Sequence, residues 1–73
     1  MNDQAIPRDR MEAKALEVAR EVGFSHSAPR ERAFVRHYDA QTRAWYEEGV
    51  FTWARGTVRV ESRSLDVTVE RKP

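Results

Sequence analysis

Four serines, two histidines and one pair of adjacent carboxylates are the side chains from which this sequence could assemble a reactive centre. Ser25, Ser27, Ser62 and Ser64 could each supply a nucleophile, but only beside a base that a third group orients. All four stand in turn signals, where capping accounts for them. His26 lies between Ser25 and Ser27, and neighbours in a turn point apart. A metal site would draw on His26, His37 and carboxylates such as Asp39, yet no His-x-His or His-x-x-x-His spacing occurs. Glu47 and Glu48 form a carboxylate pair, but general acid-base work needs two groups facing one cleft, and neighbours in a final helical turn meet water. Gly23, Gly49 and Gly56 are too scattered to build a phosphate-binding loop. These residues predict a protein that is not an enzyme and uses no metal or cofactor.

The chain that would position them has 73 residues, with 13 Lys and Arg against 12 Asp and Glu, a formal charge of +1. That length allows one domain, spanning residues 1–73. Its 40% apolar and 34% charged content is that of a globular protein. So small a core is marginal, and without cysteine no disulfide or thiolate metal site can reinforce it. Oligomerisation is the expected reinforcement, so a homodimer is predicted. No stretch approaches a membrane span or a signal peptide, and a cytoplasmic protein that avoids membranes is expected.

Hydrophobic spacing divides the chain into a loose leader over residues 1–8, a helical half over 9–48 and a strand half over 50–71. Asp9 followed by Glu12 has capping-box spacing. A first helix is expected over about residues 10–22, with Met11, Ala15, Val18 and Val22 on one face and Gly23 as a left-handed C-cap before Phe24. Ser27 is a candidate N-cap for a second helix over about residues 28–48, because Pro29 is tolerated in a first turn. Read as a strand, this segment mixes charge and aromatic on both faces. Read as a helix, it gathers Phe34, Val35, Tyr38, Trp45 and Tyr46 on one side, with Gly49 closing it. After Gly49 the period becomes two, with Val58 and Val60 on one face and Leu65, Val67 and Val69 in a further alternation. The fold class predicted is α+β: two N-terminal helices packed on a C-terminal antiparallel sheet of two to three strands.

The segment Leu16-Glu17-Val18-Ala19-Arg20-Glu21-Val22-Gly23-Phe24-Ser25, followed by Arg32-Ala33-Phe34-Val35-Arg36-His37-Tyr38, resembles the helix-turn-helix of AraC-type transcription regulators. In that family a Gly-Phe-Ser turn leads to a recognition helix ending in an Arg-Ala-Phe-x-Arg-x-Tyr pattern. The resemblance spans residues 16–38, about a third of the chain, and none of the strand half. The chain departs from the pattern at Arg30, where the family usually has an aromatic, and at Pro29. The resemblance implies DNA binding by a non-enzymatic regulator. Arg32, Arg36 and Arg43 would then form the exposed stripe of the second helix, reaching phosphates or base edges. Ser27 and Arg30 would meet a phosphate at that helix's N-terminus. Arg59 and Arg63 would lie on a wing-like strand pair along the DNA backbone.

The alternative is a protein-interaction module, a small inhibitor or adaptor that occupies a partner protein's surface with aromatic and Arg side chains. Seven aromatics are many for so small a core. Tyr46 or Trp53, if left outside, would be an interface anchor. Neither reading calls for a small-molecule substrate.

Overall fold

The computed structural model describes residues 6–73. One helix, α1 (Arg8–Glu21), precedes four strands, β1 (Glu31–Asp39), β2 (Ala44–Trp53), β3 (Gly56–Glu61) and β4 (Val67–Arg71). The strands form one antiparallel sheet in the order β1-β2-β3-β4, a meander in which each strand pairs with the next. The helix covers one face, mostly over β2 and β3.

The α1 helix starts two residues earlier than its capping signal suggests. Pro7 occupies the N-cap with extended backbone (φ −61°, ψ 154°) and makes no side-chain cap bond. The Asp9–Glu12 capping box therefore does not form, and Glu12 binds Arg32 instead. Arg8, expected in the leader, opens the helix; residues 1–5 of that leader lie outside the described residues. The helix ends as its glycine dictates. Gly23 adopts φ 82°, the Gly23 amide donates to the Arg20 carbonyl and the Phe24 amide to that of Ala19. This is a Schellman ending, and it drops the Phe24 ring into the core.

The second helix expected over residues 28–48 does not exist. That segment is the β1–β2 hairpin, so the sheet has four strands and the helical half ends at Glu21. Asp39 pairs with Ala44 across a four-residue turn, and Asp39 Oδ1 accepts the amides of Gln41 (2.9 Å) and Thr42 (3.4 Å). An aspartate that bonds the backbone two residues on competes with helix and starts a turn. The aromatic and β-branched run from Phe34 to Trp53 then fits a pleated surface better than a helix. Gly49, expected to cap a helix, lies within β2 opposite Phe34. A Cβ there would meet the Phe51 ring at 2.7 Å and the Phe34 ring at 3.3 Å. Its missing side chain lets those rings pack edge to face across the sheet, with centroids 5.7 Å apart.

The core is built from Met11, Ala15 and Ala19 of α1, Phe24 after it, and Phe51, Trp53, Val58 and Val60 of the sheet. Burying each of the larger side chains stabilises by about 1.5–3 kcal/mol. Because alternate residues of a strand face opposite sides, register assigns the faces. The inner face, toward α1, carries Arg32, Phe34, Arg36 and Tyr38 of β1 opposite Phe51, Gly49, Glu47 and Trp45 of β2. The outer face carries Val35 and His37 of β1, Tyr46 and Glu48 of β2, and Arg59 of β3.

Candidate functional site

At the hairpin end of β1 and β2, beyond the reach of α1, the inner face is open. Tyr38 and Trp45 are register partners there, with ring centroids 5.1 Å apart. Trp45 is 60% exposed and Tyr38 52%, whereas Phe24, Phe51 and Trp53 are buried. The Arg36 guanidinium lies over the Trp45 ring at 4.8 Å, a cation–π contact that holds both side chains against the sheet. Between this end and the residue preceding Pro7 lies a cleft of about 180 Å³, lined by Ile6, Arg36, Trp45, Tyr46, Glu47 and Ser62. The Ile6 amide donates to the Ser62 carbonyl, and the Ser62 amide to that of Glu47, which fixes the cleft's walls to the sheet.

Several ion pairs join elements across the surface. Arg8 reaches Glu47 at 2.6 Å and also lies over the Phe34 ring. Arg32 makes a two-pronged contact with Glu12 (2.6 and 2.9 Å). Arg63 binds Asp39 (2.7 Å) and Glu61 (3.1 Å) and sits 3.7 Å above the Tyr46 ring. On the outer face a diagonal of polar contacts crosses all four strands: His37 to Glu48 (3.1 Å), Glu48 to Arg59 (3.6 Å), Arg59 to Glu70 (3.3 Å). The hydrogen bonds from Arg32, Arg8 and Arg63 hold the carboxyls of Glu12, Glu47 and Asp39 below their ordinary range, against a smaller opposing effect of desolvation. Among the described residues, Arg30, Arg36 and Arg43 make no ion pair within 4 Å, nor do Arg10, Arg20, Arg55, Arg71 and Lys72.

The arginines expected on one helical stripe are dispersed. Arg32 and Arg36 lie on the inner side of β1, and Arg43 is in the hairpin turn with φ 56°. Arg59 is on the outer face of β3 and Arg63 in the loop after it. Arg30 precedes β1, its amide donating to the Thr52 carbonyl. Ser27 caps no helix: its carbonyl accepts the Trp53 indole N–H at 2.9 Å, and its amide donates to Ser25 Oγ. That bond satisfies the polar atom of Trp53, which is only 2% exposed and cannot anchor a partner. Tyr46 is half-buried beneath Arg63 and stacked on His37. The aromatics left in solvent are Tyr38 and Trp45, which a helical reading turns inward; the Asp39 turn is the signal that places them at the hairpin tip, where the inner face extends past α1.

Among the described residues no group of His, Asp and Glu could hold a metal ion, and no helix is long and apolar enough to cross a membrane. Comparisons with family models, curated proteins and solved structures give no match.

Proposed function

We propose that the protein is a non-enzymatic interaction module that docks a partner protein with the Tyr38–Trp45 end of its first hairpin. The exposure of these two adjacent rings carries the reading, because apolar area of that kind in solvent is what association buries. Tyr, Trp and Arg dominate the few residues that supply most binding energy at protein interfaces, and here all three types meet on one rigid sheet surface. The neighbouring cleft offers a socket for a partner side chain, and Arg36 and Arg43 bring two cations that make no ion pair within 4 Å among the described residues.

A helix-turn-helix reader of duplex DNA needs a recognition helix, and residues 28–48 supply none. Exposed aromatics beside free arginines also suit stacking of single-stranded bases. Against that reading, Arg32, Arg59 and Arg63 are each tied to a carboxylate, and the net charge is only +1. Affinity capture separates the two. A protein retained by the parent at 0.5 M salt and lost from the Tyr38→Ser/Trp45→Ser variant is expected, with about 2 kcal/mol or more of binding energy removed. Retention of nucleic acid instead, falling steeply as salt rises, would replace this reading with a nucleic-acid one.

A further inference from the structure

We infer that the partner reaches this surface as an extended acidic segment that adds a fifth strand along the open edge of β1. The inference deepens the docking reading and rests on it. An antiparallel sheet has two edges, and on each, alternate residues present backbone N–H and C=O groups with no ladder to join. Here the two edges differ. β4 is five residues long, and Lys72 and Pro73 follow it directly. Its end is tied down, with Arg71 donating to the Val22 carbonyl and the Lys72 amide to that of Arg55. Such an edge is blunted. β1 is nine residues long, contains no Pro or Lys, and leads straight to Tyr38.

Charge on the edge selects the occupant. On the inner side of β1 Arg32 is paired with Glu12, and on the outer side Asp39, at the strand's end, is paired with Arg63. Among the described residues at this edge, the cations that make no ion pair within 4 Å are Arg36, which faces Glu47 across the hairpin and helps hold its carboxyl low, Arg30 just before the strand and Arg43 in the turn; Glu31 is the anion that makes none. An added strand would place alternate side chains beside Arg36 on the inner face and beside Ala33 and Val35 on the outer, where Val35 is 41% exposed. Acids on one side and aliphatics on the other meet both faces, so the sequence recognised alternates the two.

A second copy of the chain fits worse. Antiparallel two-fold pairing of β1 with itself has three registers that engage seven or more residues of the strand. Centred on Val35 it sets Glu31 opposite Asp39; centred on Phe34, Arg32 opposite Arg36; centred on Arg36, that arginine opposite its own copy. Each register juxtaposes like charges, which disfavours the pair.

Selection from displayed random twelve-residue peptides against the folded protein tests the assignment. Enriched sequences should alternate Asp or Glu with aliphatic residues. A selected peptide should lose binding when its alternate amides are N-methylated in one phase and keep it in the other, because only one set faces the edge. Arg36→Glu should weaken it about tenfold or more, and bound peptide should slow amide exchange within residues 31–39. Enrichment of apolar residues at helical spacing, equal tolerance of both methylation phases, or no enrichment over unfolded protein would each overturn strand addition. Tighter binding of a twelve-nucleotide oligothymidylate, or self-association that protects the β1 amides, would overturn it in favour of those occupants. Survival of the Tyr38- and Trp45-dependent capture alongside any peptide failure leaves the docking reading standing, whereas loss of that capture removes both.

Discussion

Two glycines that lack a positive φ set how closely this molecule packs, and they do so to different degrees. At Gly56 an added Cβ would run into the Glu70 carbonyl oxygen of β4 and come within 2.5 Å of the Phe24 ring. One neighbour is backbone and the other is a core ring held by the helix ending, so neither can retreat. At Gly49 the nearest atoms are the rims of the Phe51 and Phe34 rings, which can swing. Gly56→Ala is therefore expected to cost about 3 kcal/mol, the upper end for overpacking, and Gly49→Ala about 1 kcal/mol. Urea denaturation of the two variants checks the order. Equal losses would mean that the β3–β4 pair opens at Gly56 without strain.

Elements were legible where a single rule governed them. The helix ending at Gly23 and the Val58–Val60 face of β3 follow from local sequence, since a left-handed glycine and a buried central strand leave one arrangement. The β1–β2 hairpin followed no such rule. β1 is an edge strand whose inner face is only partly covered, so it lacks clean alternation: Arg32 is tolerated beside the core because Glu12 reaches it from the helix. That pairing spans twenty residues and cannot be seen in spacing alone. The aromatics that formed an arc in a helix are divided by the sheet, Phe34, Tyr38 and Trp45 inside and Tyr46 outside. The candidate surface goes with the strand: Tyr38 and Trp45 share the inner face with Phe34 and are exposed because α1 does not extend over that end of the hairpin. At the helix–sheet layer the small side chains of Ala15 and Ala19, both fully buried, set the separation. Ala15→Leu should force α1 off the sheet and cost about 1–3 kcal/mol. Thermal melts should report that loss, while Trp45→Ser, at an exposed cross-strand pair, should cost no more than about 1 kcal/mol. The reverse order would show that the hairpin end, rather than the α1 layer, holds the fold together.

Across the whole molecule, ion pairs bind elements that the sequence keeps far apart. Arg8–Glu47 fastens the start of α1 to β2, Glu12–Arg32 fastens its first turns to β1, and Arg63–Asp39 ties the β3–β4 loop to the far end of β1. Each carboxylate is held below its ordinary pKa by the arginine's hydrogen bond, so folding favours the ionised form. Stability from these groups is present above the unfolded carboxylate range and is lost as pH falls through the depressed folded values. Acid also removes the twelve anions that oppose thirteen Lys and Arg charges, adding self-repulsion in the same direction. The melting temperature should hold steady from neutral pH down to about 4.5 and fall progressively below it. The Glu12→Gln/Glu47→Gln variant should start lower at neutral pH and approach the parent as the pH falls, because protonation removes from the parent what the substitutions have already taken. Parallel curves at every pH would mean that these carboxylates add nothing through their charge, and the attachment of α1 to the sheet would then rest on its apolar contacts, led by Met11, Ala15 and Ala19.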